Sequence, residues 1–281
     1  MRLPQHSDSG TLAIDLRAVT KRFTTPSGAT YTALKDLNLG VVAGEFCAIV
    51  GPTGCGKSTT LTLVSGLERP SLGTVKVHGA DVSGITPGVA FMFQTDAVLP
   101  WKTVLDNVAL GPRFRGTSKS AANTKARDWL RRVGLAGFED RFPHQLSGGM
   151  RKRVALAQSL INEPRILLMD EPFSALDVQT RSIMSNELLQ LWDLTRPAVV
   201  FVTHDLEEAI ALADKVVVLT AGPGGTVNAS FEIDLPRPRV VQEIRFEQHF
   251  VDLYHQIWEA LRSEVDIAYA QTTAATTKRA P

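Results

Sequence analysis

Eight consecutive residues, Gly51-Pro52-Thr53-Gly54-Cys55-Gly56-Lys57-Ser58, match the spacing G-x-x-x-x-G-K-[ST] at every fixed position, and Thr59 continues the candidate phosphate cradle. Glycines at these positions let main-chain N–H groups converge on an anion without interference from a Cβ. A helix opening at Lys57 would point the positive end of its dipole at the same place. Lys57 adds a full charge suited to β- and γ-phosphates, and the Ser58 hydroxyl suits Mg²⁺. The chemistry implied is the gripping of a nucleoside triphosphate. The loop by itself fits ATPases, GTPases and small-molecule kinases alike. The chain contains no Asn-Lys-x-Asp run to read guanine, which weakens the GTPase option. Cys55 inside the loop and Cys47 before it are read as small packing residues, with nucleotide-sensitive alkylation of Cys55 left open.

A second cluster of chemistry follows the apolar run Ile166-Leu167-Leu168-Met169, which ends in Asp170-Glu171-Pro172. Two acids at the end of a strand can both approach a bound nucleotide. Asp170 suits the metal shell, and Glu171 suits orienting and deprotonating an attacking water. A solvated acidic pair is the bland alternative. Gln94 and His204 each follow a strand-like run as well. Ligands of open α/β sheets bind at such carboxyl ends. Gln94 offers a neutral amide to Mg²⁺ or water, and His204 a donor to the γ-phosphate.

The elements that must position these groups are legible as alternation. Short apolar runs at 46–50, 89–93, 166–169, 198–202 and 216–219 alternate with helical patterns at 57–64, 148–161, 180–194 and 206–213. That order predicts an α/β fold with a mainly parallel core sheet. Segments 12–23, 31–39 and 74–78 read as antiparallel strands, and 95–163, without strand patterning, as an inserted helical lobe. The expected organisation is a disordered N-terminus over 1–10, a nucleotide-binding domain over 11–235, a helical extension over 236–270 and a disordered tail over 271–281. In the extension Phe246, Phe250, Leu253, Ile257 and Leu261 recur three or four apart and predict one apolar face docked on the main domain. With 30 Lys+Arg against 29 Asp+Glu the formal charge is +1, which argues against nucleic acid as a partner. The first ten residues lack the apolar core of a secretory signal, no run is long enough to span a bilayer, and two cysteines point to a reducing compartment.

The segment Leu146-Ser147-Gly148-Gly149-Met150-Arg151 resembles the signature sequence of ATP-binding cassette proteins. The phosphate loop, Gln94, this segment, Asp170-Glu171, Ser174-Ala175-Leu176-Asp177 and His204 also stand in the cassette order, over roughly residues 14–219. The resemblance implies a P-loop NTPase with an N-terminal antiparallel β subdomain and an inserted helical subdomain. It implies a homodimer paired head to tail around two ATPs, Ser147, Gly148 and Gly149 of one chain completing the site of the other and Asp177 at the seam. Phe23 matches the aromatic that stacks on adenine, with plain core as its rival. Met150 departs from the commoner Gln and is not expected to touch phosphate.

Two further stretches are similar to the nitrate, sulfonate and taurine import group: the run from Gln94 through Leu99, Pro100 and Trp101, and the tail Ala221-Gly222-Pro223-Gly224 with Asp234-Leu235-Pro236-Arg237-Pro238-Arg239. This likeness implies ATP hydrolysis with Mg²⁺ at the cytoplasmic face of the inner membrane. A separate transmembrane permease would dock near Gln94 to Trp101, and an external solute-binding protein would act indirectly. Packing of Trp101 inside the helical lobe is the alternative. A non-transport cassette clamp and an exporter subunit are the rival functions.

Overall fold

The computed structural model describes residues 12–26, 28–95 and 97–277. The expected disorder over 1–10 and at 278–281 lies outside them. Two sheets form the frame. The larger has six strands in the order β10-β9-β3-β8-β7-β6. These are β10 (Val227–Glu232), β9 (Lys215–Leu219), β3 (Phe46–Val50), β8 (Ala198–Val202), β7 (Ile166–Asp170) and β6 (Val89–Met92). All pair parallel except β10, an antiparallel edge. The smaller sheet, ordered β2-β1-β4-β5, is antiparallel and joins β1 (Leu12–Thr24), β2 (Thr30–Val42), β4 (Leu72–Val77) and β5 (Ala80–Asp81).

Strands buried on both faces read as continuous apolar runs, and their side chains divide alternately between two cores. Phe46, Ala48, Val50, Leu167, Met169, Val199, Phe201, Val216 and Val218 enter one cluster, which the larger helices cover. Cys47, Ile49, Ile166, Leu168, Val200, Val202, Val217 and Leu219 enter the other. There they meet Ile14, Leu16, Leu34 and Val75 of the small sheet and Leu61 and Val64 of helix α1 (Lys57–Ser65).

Between β6 and β7 the described residues form no strand. They hold α2 (Val104–Phe114), α3 (Lys119–Arg132), a 3₁₀ turn (Pro143–Gln145) and α4 (Gly148–Leu160). The side chains of Thr103, Ser118 and Ser147 cap α2, α3 and α4 by accepting an N–H three residues on. The next helices are α5 (Val178–Thr195) and α6 (Leu206–Leu212).

The C-terminal part is helical, as α7 (Val241–Ile244) and α8 (Gln248–Thr277). Phe250, Leu253, Ile257 and Leu261 are buried in the main core, so α8 is docked on the body. Two expectations fail here. Phe246 is 76% exposed, because the turn after α7 places it ahead of α8 and off the docked face. The tail expected to be disordered from 271 instead continues α8 to Thr277, since no Pro or Gly interrupts residues 248–277 and each added residue gains a main-chain bond.

Candidate functional site

The parallel register brings the carboxyl ends of β3, β7 and β8 side by side, with Asp170 opposite Val202 and Ile49 opposite Val202 as well. The groups with chemistry lie just past these ends. Gly51 to Gly56 turn the chain out of β3 and into α1 without a side-chain cap at Gly56. Gly56 has φ 102°, and a Cβ there would stand 2.4 Å from Leu34 Cδ2, so the position admits only glycine. The Lys57 ammonium is buried and donates to Gly51 O at 2.7 Å and Pro52 O at 3.1 Å. It is thus held over the loop that it would share with a phosphate.

Ser58 Oγ donates to Asp170 Oδ1 at 3.1 Å. Burial pushes the Asp170 carboxyl above the usual carboxylate range, with the Glu171 charge adding to the rise, while the Ser58 bond and Lys57 oppose it. A cation beside Asp170 would relieve that cost, and a hydroxyl with a carboxylate is an all-oxygen pair of the kind hard dications prefer. Among the described residues no three His, Cys, Asp or Glu side chains form a metal cage. The pair therefore fits an ion whose other ligands are waters and substrate oxygens, as Mg²⁺ takes them.

Glu171 sits at φ 43°, a left-handed conformation for a non-glycine residue. Its N–H donates to Val202 O at 2.9 Å, and its carbonyl accepts from Ser174 N and Oγ at 3.3 and 3.0 Å. Main-chain bonds on both sides thus maintain the strained geometry. The carboxylate is held by His204 Nδ1 at 3.1 Å and Gln94 Nε2 at 3.5 Å from the same Oε2. An ionised carboxylate only accepts, so the histidine presents its Nδ1–H. Gln94 turns its side-chain amide nitrogen to Glu171 rather than to the Ser58–Asp170 pair, while its main-chain carbonyl accepts from Lys152 Nζ at 3.0 Å.

A cleft of about 430 Å³ opens over these groups, lined by Thr53, Gly54, Gly56, Lys57, Ser58, Thr59, Gln94 and Glu171, with Phe23, Tyr31 and Ala33 at one end. Phe23 is half-buried rather than core, with Lys21 Nζ 4.7 Å from its ring centre. Its cross-strand partner Tyr31, which the sequence reading missed, donates its hydroxyl to Gly54 O at 3.3 Å. Cys55 is fully buried behind the loop, and burial pushes its thiol upward; Cys47, equally buried, is pushed up to about 12. Neither is a reactive thiolate.

Ser147, Gly148, Gly149 and Asp177 do not line this cleft. They gather elsewhere, at the N-termini of α4 and α5. A Cβ on Gly149 would meet Thr180 Cγ2 at 3.0 Å and one on Gly148 would meet Leu176 Cδ2 at 3.8 Å. Asp177 caps α5 by accepting Thr180 N–H at 3.0 Å. The backbone and side chain of Thr180 hold its carboxyl below the usual range.

A sequence profile of the family described as ABC transporter matches residues 34–174. The chain is 46% identical over 223 residues to the uncharacterized ABC transporter ATP-binding protein MJ0412 of Methanocaldococcus jannaschii, across 79% of this chain and 83% of that one. It is 42% identical over 236 residues to the nitrate import ATP-binding protein NrtD of Synechococcus elongatus, across 82% and 86%. With NrtC, the nitrate import ATP-binding protein of that organism, it shares 38% over 255 residues, 90% of this chain but 38% of the longer relative. Among solved structures it resembles the dimeric, post-hydrolysis state of the ATP-binding cassette MJ0796 bound to ADP and Pi. The TM-score is 0.70 at 31% identity, across 79% of this chain and 100% of that one. A phosphate loop after β3, an acid pair at the end of β7 and the Ser147-capped helix α4 stand in one frame, and the chain belongs to the ABC transporter family as an ATP-binding subunit.

Proposed function

We propose that this subunit hydrolyses ATP to drive import of a small solute, nitrate-, sulfonate- or taurine-like, through a separate permease at the cytoplasmic face of the inner membrane. Glu171, fixed by His204, Gln94 and Val202, carries the catalytic part of this reading. The triphosphate lies along the N-terminus of α1, its charge met by Lys57 and by the loop amides, with adenine stacked on Phe23. Ser58 and Asp170, with the carbonyl end of Gln94, would hold the Mg²⁺, whose role is to neutralise charge on the β- and γ-oxygens. Glu171 accepts a proton from water as the water oxygen bonds to the γ-phosphorus and the bond to the β-γ bridging oxygen breaks. His204 orients that carboxylate and would stand beside the γ-phosphoryl group as it is transferred to water, with ADP as the leaving group.

The active form is a head-to-tail homodimer. Support comes from the placement of Ser147, Gly148, Gly149 and Asp177 away from the cleft of their own chain, together with the dimeric form of the MJ0796 cassette. The permease docks on the lobe beside Gln94. There Trp101 is 71% exposed, close in sequence to the exposed Phe93 and α2, whose Phe114 is also exposed, rather than packed inside the lobe. An exposed tryptophan seven residues after the glutamine suits transmission of nucleotide state to a partner. NrtC and NrtD, named as nitrate import proteins, favour the import direction. No helix among the described residues is long and apolar enough to cross a membrane; in this reading translocation is the work of the permease and solute capture that of its external binding protein.

Trp101→Ala tests the coupling. In vesicles holding the permease, solute uptake should fall about tenfold, the scale of an interface anchor. ATP binding by the isolated chain should not change. Undiminished uptake would remove Trp101 from the docking surface.

A further inference from the structure

The turn between β9 and β10 reads Thr220-Ala221-Gly222-Pro223-Gly224-Gly225-Thr226. Its base is closed by Thr220 N–H on Thr226 O at 2.8 Å and Thr226 N–H on Thr220 Oγ1 at 3.0 Å. One side is fastened to β2: Gly224 and Gly225 donate to Thr32 O and Ala33 O at 2.7 and 3.1 Å. The other side is the back wall of the phosphate loop. A Cβ on Gly222 would stand 2.4 Å from Gly54 O, and one on Gly225 would stand 1.9 Å from Cys55 O. Main chain therefore meets main chain across this seam, and a displacement of the turn is felt directly by Gly54 and Cys55.

The Ala221 end of the turn is fastened by a residue from far along the chain. Glu264 of α8, only 9% exposed, accepts the Ala221 N–H on Oε2 at 2.8 Å. A buried carboxylate carries a desolvation cost that docking of α8 does not require. Phe250, Leu253, Ile257 and Leu261 already seat the helix, and Asn228 Nδ2 donates to Ala260 O at 3.2 Å. The charge-assisted bond at Ala221 instead stiffens the wall behind the phosphate loop.

We propose that Glu264 is a positioning residue for nucleotide binding: through Ala221 it holds the 221–225 turn against Gly54 and Cys55 and so keeps the loop amides aimed at the phosphates. The C-terminal helix is thereby tied to the nucleotide site rather than merely packed on the domain. The inference rests on the ATP reading above.

The test uses the full chain, with KM and kcat for ATP, binding of a fluorescent ATP analogue and thermal unfolding measured together. Glu264→Ala should raise KM and the analogue Kd about tenfold while kcat stays within about twofold, the loss expected for one charge-assisted bond. Glu264→Asp, whose carboxylate falls short of Ala221, should do the same to a lesser degree, and serves if the alanine variant does not fold. Glu264→Gln keeps an acceptor for the amide and should restore nucleotide affinity. Asn228→Ala cuts another α8 tether and should lower the unfolding temperature without moving KM. Wild-type KM in Glu264→Ala and Glu264→Asp, or an equal rise in KM in Asn228→Ala, would overturn the inference while leaving the ATP reading intact. A wild-type chain that binds no nucleotide would overturn both.

Discussion

One oxygen of Glu171, Oε2, lies 3.1 Å from His204 Nδ1 and 3.5 Å from Gln94 Nε2, and in the proposed hydrolysis this carboxylate takes the proton from water. Glu171→Gln keeps the shape but removes the base. Turnover should fall about 10²- to 10³-fold, as for loss of a single preorganised group, with ATP retained and the dimer held closed. Rapid hydrolysis by that variant would assign the base elsewhere. A second carboxyl lies beneath the His204 turn. Glu208 accepts from Thr203 Oγ1 at 2.6 Å, and Thr203 Oγ1 in turn accepts from Asp205 N–H at 3.1 Å. Burial pushes Glu208 from 4.5 up to about 7, the Thr203 bond lowering it and Asp205 raising it; Arg181 lowers it and Glu171 raises it, both more weakly. Between those two values the folded chain keeps a proton that the unfolded chain gives up, so this group's stabilising contribution is lost as pH rises through the window. Glu208→Gln stays neutral throughout. Relative to wild type its unfolding free energy should improve steadily as pH rises from about 5 to about 8. Denaturant titrations at both pH values would show it, and parallel pH profiles would refute it.

At the scale of elements, the run Asp234-Leu235-Pro236-Arg237-Pro238-Arg239, read in sequence as a likeness to an import group, is a brace. Arg237 donates to Asp214 Oδ1 through Nε and Nη2, at 3.0 and 2.7 Å, and its guanidinium lies 4.4 Å from the Trp192 ring centre. Arg239, 6% exposed, donates to the carbonyls of Ile210, Ala211, Ala213, Ile233 and Leu235, closing the C-terminus of α6. Burial and the Arg237 charge pull its guanidinium down to about 10, and it remains a cation at neutral pH. Arg239→Met should cost about 2–4 kcal/mol in unfolding free energy, because several buried carbonyls lose their donors. Arg239→Lys should recover only part, having three donors without the planar fork. Unchanged stability in the Met variant would make the brace dispensable. The contrast with the phosphate loop shows what sequence can reveal. Lys57 was legible because its site is built from contiguous residues following a strand. The acceptors of Arg239 lie up to 29 residues upstream, and the partner of Glu264 lies 43 residues away, so no local spacing announces either. Periodicity likewise marked Phe250, Leu253, Ile257 and Leu261 but misplaced Phe246, because a turn resets the helical phase at Gln248.

At the scale of the whole molecule, the phosphate loop and the N-termini of α4 and α5 stand apart in one chain, and the proposed dimer would make them halves of two composite sites. The phosphate loop, Glu171 and His204 gather at the ends of the parallel strands, while Ser147 and Asp177 cap α4 and α5 outside that cleft. The order of motifs along the chain cannot disclose this separation, since adjacency in a family pattern is compatible with one shared site or two. The proposed head-to-tail pair would join the halves, and complementation tests it. Lys57→Ala should abolish ATPase activity through loss of phosphate charge, and Ser147→Arg through a bulky cation on the partner's site. In a mixed dimer of the two variants, one composite site carries both lesions and the other carries neither. Mixing the inactive chains should then restore activity, to about half the wild-type rate per mixed dimer if the sites turn over independently. Restoration requires that Lys57 and Ser147 act on one nucleotide from different chains. If both variants are inactive alone and the mixture, shown to have exchanged subunits, remains inactive, the two half-sites do not meet in this way.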